Sequence, residues 1–264
     1  MSMLEGLRFT AIPSPIHRLD PRVKFLLVSI LFVSTILFSS LLPLLIIFLA
    51  QIPLILLARV QRAWLKTLRG AVTLGIIIFA SNLLANYFYQ GRTLTTGILE
   101  LSLAMTVRFI ALITSFSIFF LTTSPDKLSL ALEKAHIPYE LCFAFITAIR
   151  FVPVLAEEAQ TIMDAQKARG LELEGGNFLQ RIRNYLPILL PLIINSIRRS
   201  LELAEAMESR AFGAVEKRTN LYELKMTGGD YLALTLSLAV LILVLYIRFR
   251  VPIPKYLLTP SRIL

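Results

Sequence analysis

A chain of 264 residues that is 56% hydrophobic, with a mean hydropathy of +0.72, is too apolar for an ordinary soluble domain and belongs in a membrane. Its formal charge of +10 is uneven: residues 123–228 hold 13 Lys and Arg against 13 Asp and Glu, so the excess lies in the membrane flanks, and nucleic-acid binding is not needed to explain it. The lone cysteine, Cys142, excludes an intramolecular disulfide and any multi-cysteine metal site, and no Gly-x-x-x-x-Gly-Lys-Ser/Thr phosphate loop is present, so the chain is not expected to hydrolyse ATP itself.

From the N-terminus, Glu5 and Arg8 precede a stretch broken by Pro13 and Pro15. It lacks the continuous apolar core and cleavage site of a secretory signal, so no removed leader is expected. Asp20 followed by Pro21 reads as a helix N-cap with proline in the first turn, where its missing N–H costs nothing. The uncharged run 25–58 is long enough for two short spans, broken near Ser39, Ser40 and Pro43. Further spans are expected over about residues 71–91, 101–122 and 232–247.

Arg8, Arg18, Arg22 and Lys24 before the first span, and Arg59, Arg62, Lys66 and Arg69 between the second and third, place those ends in the cytoplasm. The sparsely charged connections near Ser39 and over 90–100 should face outside. Four spans followed by one then put the basic tail of Arg248, Arg250, Lys255 and Arg262 outside, against the positive-inside tendency. Trp64, among basic residues, reads as an interfacial anchor. Asn82 and Asn86, one turn apart, are expected to hydrogen-bond between helices rather than bind substrate. Arg108, inside the fourth span, is expected to snorkel to the outer headgroups.

Ser124 and Pro125 repeat the capping signal and open a short helix to about His136, stopping before Pro138. Long helical patterns follow over 139–168 and about 178–212. Each begins apolar and ends charged: residues 141–154 carry only Arg150, whereas 157–169 carry Glu157, Glu158, Asp164, Lys167 and Arg169. The apolar part of the second helix, Tyr185 to Ile197, contains Pro187, Pro191 and Asn195 and is short for a span. Both helices therefore read as amphipathic, packed along the cytoplasmic face of the membrane or against a partner, with two extra spans as the alternative. Gly170, Gly175 and Gly176 separate them, and Gly213 is expected to end the second.

Two stretches in this region are copies of one device. Asp164-Ala165-Gln166-Lys167-Ala168-Arg169-Gly170 and Glu205-Ala206-Met207-Glu208-Ser209-Arg210-Ala211 each run from an acidic residue through Ala to an Arg between small residues, 41 residues apart. A single Arg in a last helical turn is explained by free carbonyls and the helix dipole, worth about 0.3–1 kcal/mol. Two with matching flanks point to docking, because small neighbours let a guanidinium enter a groove and pair bidentately with a carboxylate there. Glu157 and Glu158 invite comparison with membrane proteases that use paired glutamates. The position four after Glu158 is Ile162, however, and His17 and His136 lie on other segments, so no water-activating cluster is formed.

Ile16-His17-Arg18-Leu19-Asp20-Pro21-Arg22-Val23-Lys24 resembles the N-terminal signature of the transmembrane coupling (T) component of energy-coupling factor (ECF) transporters, ABC-type importers of vitamins and metal ions. Ala148-Ile149-Arg150-Phe151-Val152-Pro153 resembles that family's long-helix segment. Ala165-Gln166-Lys167-Ala168-Arg169-Gly170 and Glu208-Ser209-Arg210-Ala211-Phe212-Gly213 resemble its two x-Arg-x motifs, and the similarity covers nearly the whole chain.

The resemblance implies an all-α polytopic protein of a prokaryotic cell membrane, with about five spans and a cytoplasmic module of amphipathic coupling helices. It implies a non-enzymatic subunit without cofactor or metal. The expected organisation is four spans in residues 1–123, the coupling-helix module in 124–228, and the last span with its tail in 229–264. By resemblance, Ala168, Arg169 and Gly170 dock on one of two ABC ATPase subunits, and Ser209, Arg210 and Ala211 on the other. A separate membrane-embedded substrate-binding S component contacts the coupling helices, with Leu141, Phe145, Phe151, Val152, Pro153, Pro187 and Pro191 as the expected surface. The competing class is a stand-alone secondary transporter or channel. That class places ionisable or broken-helix sites at the bilayer midplane with symmetry between halves, whereas the midplane positions here are almost wholly apolar. Neither reading names the cargo.

Overall fold

Capping residues and prolines divide the chain where the sequence indicates. The computed structural model describes residues 14–89, 95–172, 175, 177–214, 224 and 226–250; the expectations for Glu5, Arg8, Pro13, Gly176, Lys255 and Arg262 lie outside them. The described residues build α1 (Pro15–Arg18), α2 (Pro21–Leu37), α3 (Leu41–Ala58), α4 (Gln61–Tyr89), α5 (Thr96–Thr122), α6 (Pro125–Lys134), α7 (Tyr139–Ala168), α8 (Phe178–Glu208) and α9 (Gly228–Arg250). Asp20 accepts from the Arg22 amide at 2.9 Å to open α2, with Pro21 in the first turn. The first apolar run breaks between Leu37 and Leu41, at the two serines. Ser124 accepts from the Lys127 amide at 3.4 Å at the start of α6.

Among the described residues, five helices are long and apolar enough to cross a membrane: α3, α4, α5, α7 and α9. The number agrees with expectation, and the membership differs at two places. Helix α7, read from sequence as lying along the membrane face, qualifies because its first half is nearly free of charge. Helix α2 has 17 residues, about 26 Å at ~1.5 Å per residue, short of the ~30 Å hydrocarbon core. It is nevertheless part of a helical bundle, packed against α5 and α9.

The chain divides into two compact units, one from the described residues of Met1–Ala131 and Leu224–Leu264, the other from those of Leu132–Glu223. In the first unit α5 is central and packs against α2, α3 and α4. Its inward face is built from small residues, Ala104, Ala111, Thr114, Ser115 and Ser117, which let helices approach closely where apolar burial against lipid offers little driving force. Gln51 of α3, fully buried, donates to Ser115 Oγ at 3.0 Å. Gly75 of α4 approaches α5 so closely that a Cβ there would meet Thr106 Cγ2 at 3.3 Å. Apolar clusters close both ends of this bundle, one around Ile16, Val28, Ile55, Ile118 and Phe119, the other around Phe38, Leu44, Ile47, Ala104 and Val244.

The polar residues of this unit serve the bundle in ways that differ from expectation. Arg108 is held by the α2–α3 connection rather than left to headgroups: its Nη2 donates to the Phe38 carbonyl, at the C-cap of α2, and to Ser39 Oγ at 3.2 Å. A carbonyl left free at a helix C-terminus is a nearer partner for a guanidinium than a headgroup. Asn82 and Asn86 bond within their own helix, to the carbonyls of Ile78 at 3.0 Å and Asn82 at 2.8 Å. Trp64, half-buried, packs on the first apolar cluster and donates to Thr114 Oγ1 at 3.4 Å, so its ring also takes part in the α4–α5 contact.

The N-terminal signature is a clasp. Lys24, 3% exposed, donates from Nζ to the carbonyls of His17 at 3.2 Å and Thr122 at 2.9 Å, so it joins α1 to the end of α5. Asp230 at the start of α9 accepts from the Asp20 amide at 2.6 Å and from Thr227 N and Oγ1 at 2.7 Å each. His17 is buried and its Nδ1 lies 2.7 Å from Ser14 Oγ. Burial, followed by the neighbouring Lys24 cation, holds its imidazole below the ordinary histidine value of 6.5, against a smaller opposing effect of a backbone hydrogen bond at Leu121, with Lys127 adding the least.

Candidate functional site

In the second unit α7 and α8 form an antiparallel hairpin, traced by contacts along its length. Near the connection, Gln166 donates to the Pro187 carbonyl at 3.3 Å and Asn184 to the Glu172 carbonyl at 2.7 Å. At mid-length, Glu158 accepts from Asn195 at 2.7 Å and from Arg199 at 2.9 Å. The Arg199 guanidinium also lies 6.0 Å from the centre of the Phe151 ring. At the far end, Phe212 stands against Phe143 and Tyr139, with ring centroids 5.2 and 6.0 Å away. Glu158 is thus a structural clamp between helices, while its neighbour Glu157 is exposed.

The two arginine motifs end their helices with one hydrogen-bond pattern. At the first, the amides of Arg169, Gly170 and Leu171 donate to the carbonyls of Gln166, Lys167 and Gln166 at 3.1, 2.9 and 3.0 Å. At the second, the amides of Arg210, Ala211 and Phe212 donate to those of Met207, Glu208 and Met207 at 3.1, 2.9 and 3.0 Å. Both are Schellman caps, which need a left-handed residue directly after the arginine: Gly170 has φ 89° and Ala211 has φ 56°. The small residue following each arginine therefore has a backbone reason as well as a steric one. The expectation that Gly213 ends α8 is corrected: the helix stops at Glu208 and Ala211 makes the turn.

Ala168, Arg169, Gly170, Ser209, Arg210 and Ala211 are all exposed, and neither Arg169 nor Arg210 has an ion-pair partner among the described residues. The hairpin puts the two tips at opposite ends. Phe212, two residues after Arg210, is level with Phe143, and from there α7 advances 26 residues to Arg169, about 40 Å at ~1.5 Å per residue.

Of the expected apolar surface, Leu141, Phe145, Val152, Pro153 and Pro187 are exposed, whereas Phe151 and Pro191 are half-buried, Phe151 beneath Arg199. The larger apolar stripe lies on α8, where Ile182, Leu186, Leu189, Ile193, Ile197 and Leu201 recur at helical spacing and are 46–60% exposed. Its three-and-four spacing is present in the sequence, and it extends the apolar part expected over Tyr185 to Ile197 outward to Ile182 and Leu201. Asp230 and Glu158 were also missed as organising residues; the available signal was a lone acid at the start of an apolar span and an acid at the point where α7 changes from apolar to charged.

Fold and hairpin define a multi-pass, all-α membrane protein. The cobalt transport protein family CbiQ matches residues 13–221. The chain is 36% identical over 234 residues to the energy-coupling factor transporter transmembrane protein EcfT of Clostridium kluyveri, covering 83% of this chain and 87% of that protein. The same-named proteins of Thermosediminibacter oceani and Staphylococcus aureus are 36% identical over 240 residues and 31% over 247, covering 83% and 87% of this chain and 88% and 91% of theirs. The chain belongs to this family and is a transmembrane component of an energy-coupling factor transporter in the cell membrane.

Proposed function

We propose that this subunit passes ATP-driven motion from two ABC ATPase subunits to a membrane-embedded, substrate-binding S component, for uptake of a vitamin or a metal ion. ATP hydrolysis resides in the partners. The observation that carries this reading is the repeated cap: two exposed arginines, each at the end of a helix with the same backbone geometry, about 40 Å apart on one hairpin. Ala168, Arg169 and Gly170 seat on one ATPase and Ser209, Arg210 and Ala211 on the other. Each guanidinium offers a planar fork to a carboxylate in its groove.

Because the tips lie at opposite ends of one clamped hairpin, convergence of the two ATPases on ATP cannot shorten it and has to tilt or bend it. Pro153, Pro187 and Pro191 each remove a helix hydrogen bond and supply places to bend. The exposed apolar surface of α7 and α8 then transmits the movement to the S component.

The test is Arg169→Glu and Arg210→Glu, singly and together, with recovery of the complex from membranes and mass spectrometry of the co-purifying chains. The double variant is expected in the membrane without ATPases, and each single variant with weakened recovery. Undiminished recovery with the double variant overturns the docking roles.

A further inference from the structure

The first turns of α4 carry Arg62, Lys66 and Arg69, spaced four and three residues apart. At about 100° per residue they fall within an arc of about 60° on one side of the helix. All three are exposed, and none has an ion-pair partner among the described residues. Arg59, exposed at the end of α3 in a left-handed conformation, adds a fourth cation just upstream.

The opposite side of these turns faces the bundle, through Trp64 on the apolar cluster, Ala71 at 3% exposure, and Gly75 against Thr106. Continued along α4, the basic line leads to Ile76, Ile77 and Leu84, which are 63%, 60% and 53% exposed on a helix of membrane-spanning length. The cations and the exposed apolar residues thus share one side of one helix.

We infer that Arg62, Lys66 and Arg69 bind the headgroups of anionic phospholipids in the adjoining leaflet, with the acyl chains lying along Ile76, Ile77 and Leu84. The common direction favours lipid: one phospholipid carries both an anionic headgroup and acyl chains, and so matches a basic turn continued on the same side by exposed apolar residues. Positive side chains held beside a membrane surface gain from phosphate charge, and an arginine fork matches phosphate geometry. This inference is independent of the ATPase-docking reading, since it concerns a different helix and a different ligand.

The test places the purified full chain in nanodiscs of mixed phosphatidylcholine and phosphatidylglycerol and reads retained lipid by native mass spectrometry. The triple variant Arg62→Gln, Lys66→Gln, Arg69→Gln is compared with a charge-matched control, Arg181→Gln, Arg183→Gln, Arg198→Gln. The unmodified and control chains are expected to retain phosphatidylglycerol preferentially, and the triple variant to lose at least about tenfold of that preference, given the few-fold contribution of each basic side chain near an anionic surface. An unchanged preference overturns the inference. So does a triple variant that keeps its lipid preference while losing co-purifying protein subunits, which would make the line a protein seat. Should the triple variant fail to fold, salt on the unmodified chain decides: a phosphatidylglycerol preference that does not fall as salt is raised overturns it.

Discussion

Glu158 on α7 and Arg199 on α8 meet at 2.9 Å, and the second Glu158 oxygen accepts from Asn195 at 2.7 Å, so one carboxylate holds the neighbouring helix at two points. The side chains are 18% and 34% exposed, so solvent screens the pair and its worth lies near the upper end of the surface range. Its position near the middle of the hairpin, with the arginine tips at either end, makes it the fulcrum of any tilt or bend.

Glu158→Gln is expected to cost about 1 kcal/mol, read as a fall of about 2–4 °C in the thermal midpoint of the purified chain. The charge swap Glu158→Arg with Arg199→Glu should recover most of that loss. A swap no better than the single variants would show that the fit around Phe151 and Asn195, rather than the charge pair, holds the hairpin.

The two caps make opposite predictions. Ala211 is held at φ 56°, where its Cβ costs about 1 kcal/mol that glycine avoids, so Ala211→Gly should steady the end of α8 by about that amount. Gly170 is at φ 89° with nothing within 4 Å of an added Cβ, so Gly170→Ala should destabilise by backbone strain alone, again by about 1 kcal/mol. Hydrogen exchange at the amides of Leu171 and Phe212 reads each cap directly. Faster exchange at Phe212 in the Ala211→Gly chain would contradict the assigned geometry.

His17 links stability to acid. Its imidazole is held below the ordinary value of 6.5, so the unfolded chain takes up a proton at a pH where the folded chain does not. Stability is therefore level above about pH 6.5 and declines below it, until the folded imidazole itself is protonated. Thermal midpoints at about pH 7.5 and about pH 5.5 should differ, and His17→Asn should narrow the difference. An unchanged difference in that variant would assign the acid sensitivity to other groups.

Much of this molecule was legible because the signals are local. Asp20 with Pro21, the serines at 39 and 40, and Ser124 with Pro125 mark helix ends through atoms only a few residues away. The helix over 139–168 has the ends the sequence indicates, since apolar spacing and Pro138 bound it, although the sequence reading laid it along the membrane face. The end of α8 is not legible from Gly213, the usual left-handed residue, because the chain makes its turn at Ala211 instead. Arg108, Asn82 and Asn86 were misread for a different reason. Each has several chemically acceptable partners, and composition does not say which one lies within reach.

By itself the sequence determined that this is a helical membrane protein, where most of its helices begin and end, and that two arginines stand at equivalent helix ends. Those properties follow from hydropathy and capping, which act over one to four residues. Only the tertiary structure decided that the N-terminal signature is a clasp, through contacts such as Asp20 to Asp230 across 210 residues of sequence, and that Arg108 closes the α2–α3 turn. The same holds for the placement of Arg169 and Arg210 at opposite ends of a hairpin, which depends on Phe212 meeting Phe143 and Gln166 meeting Pro187. Such pairings are selected by the packing of whole helices, where each local rule is satisfied equally well by many partners.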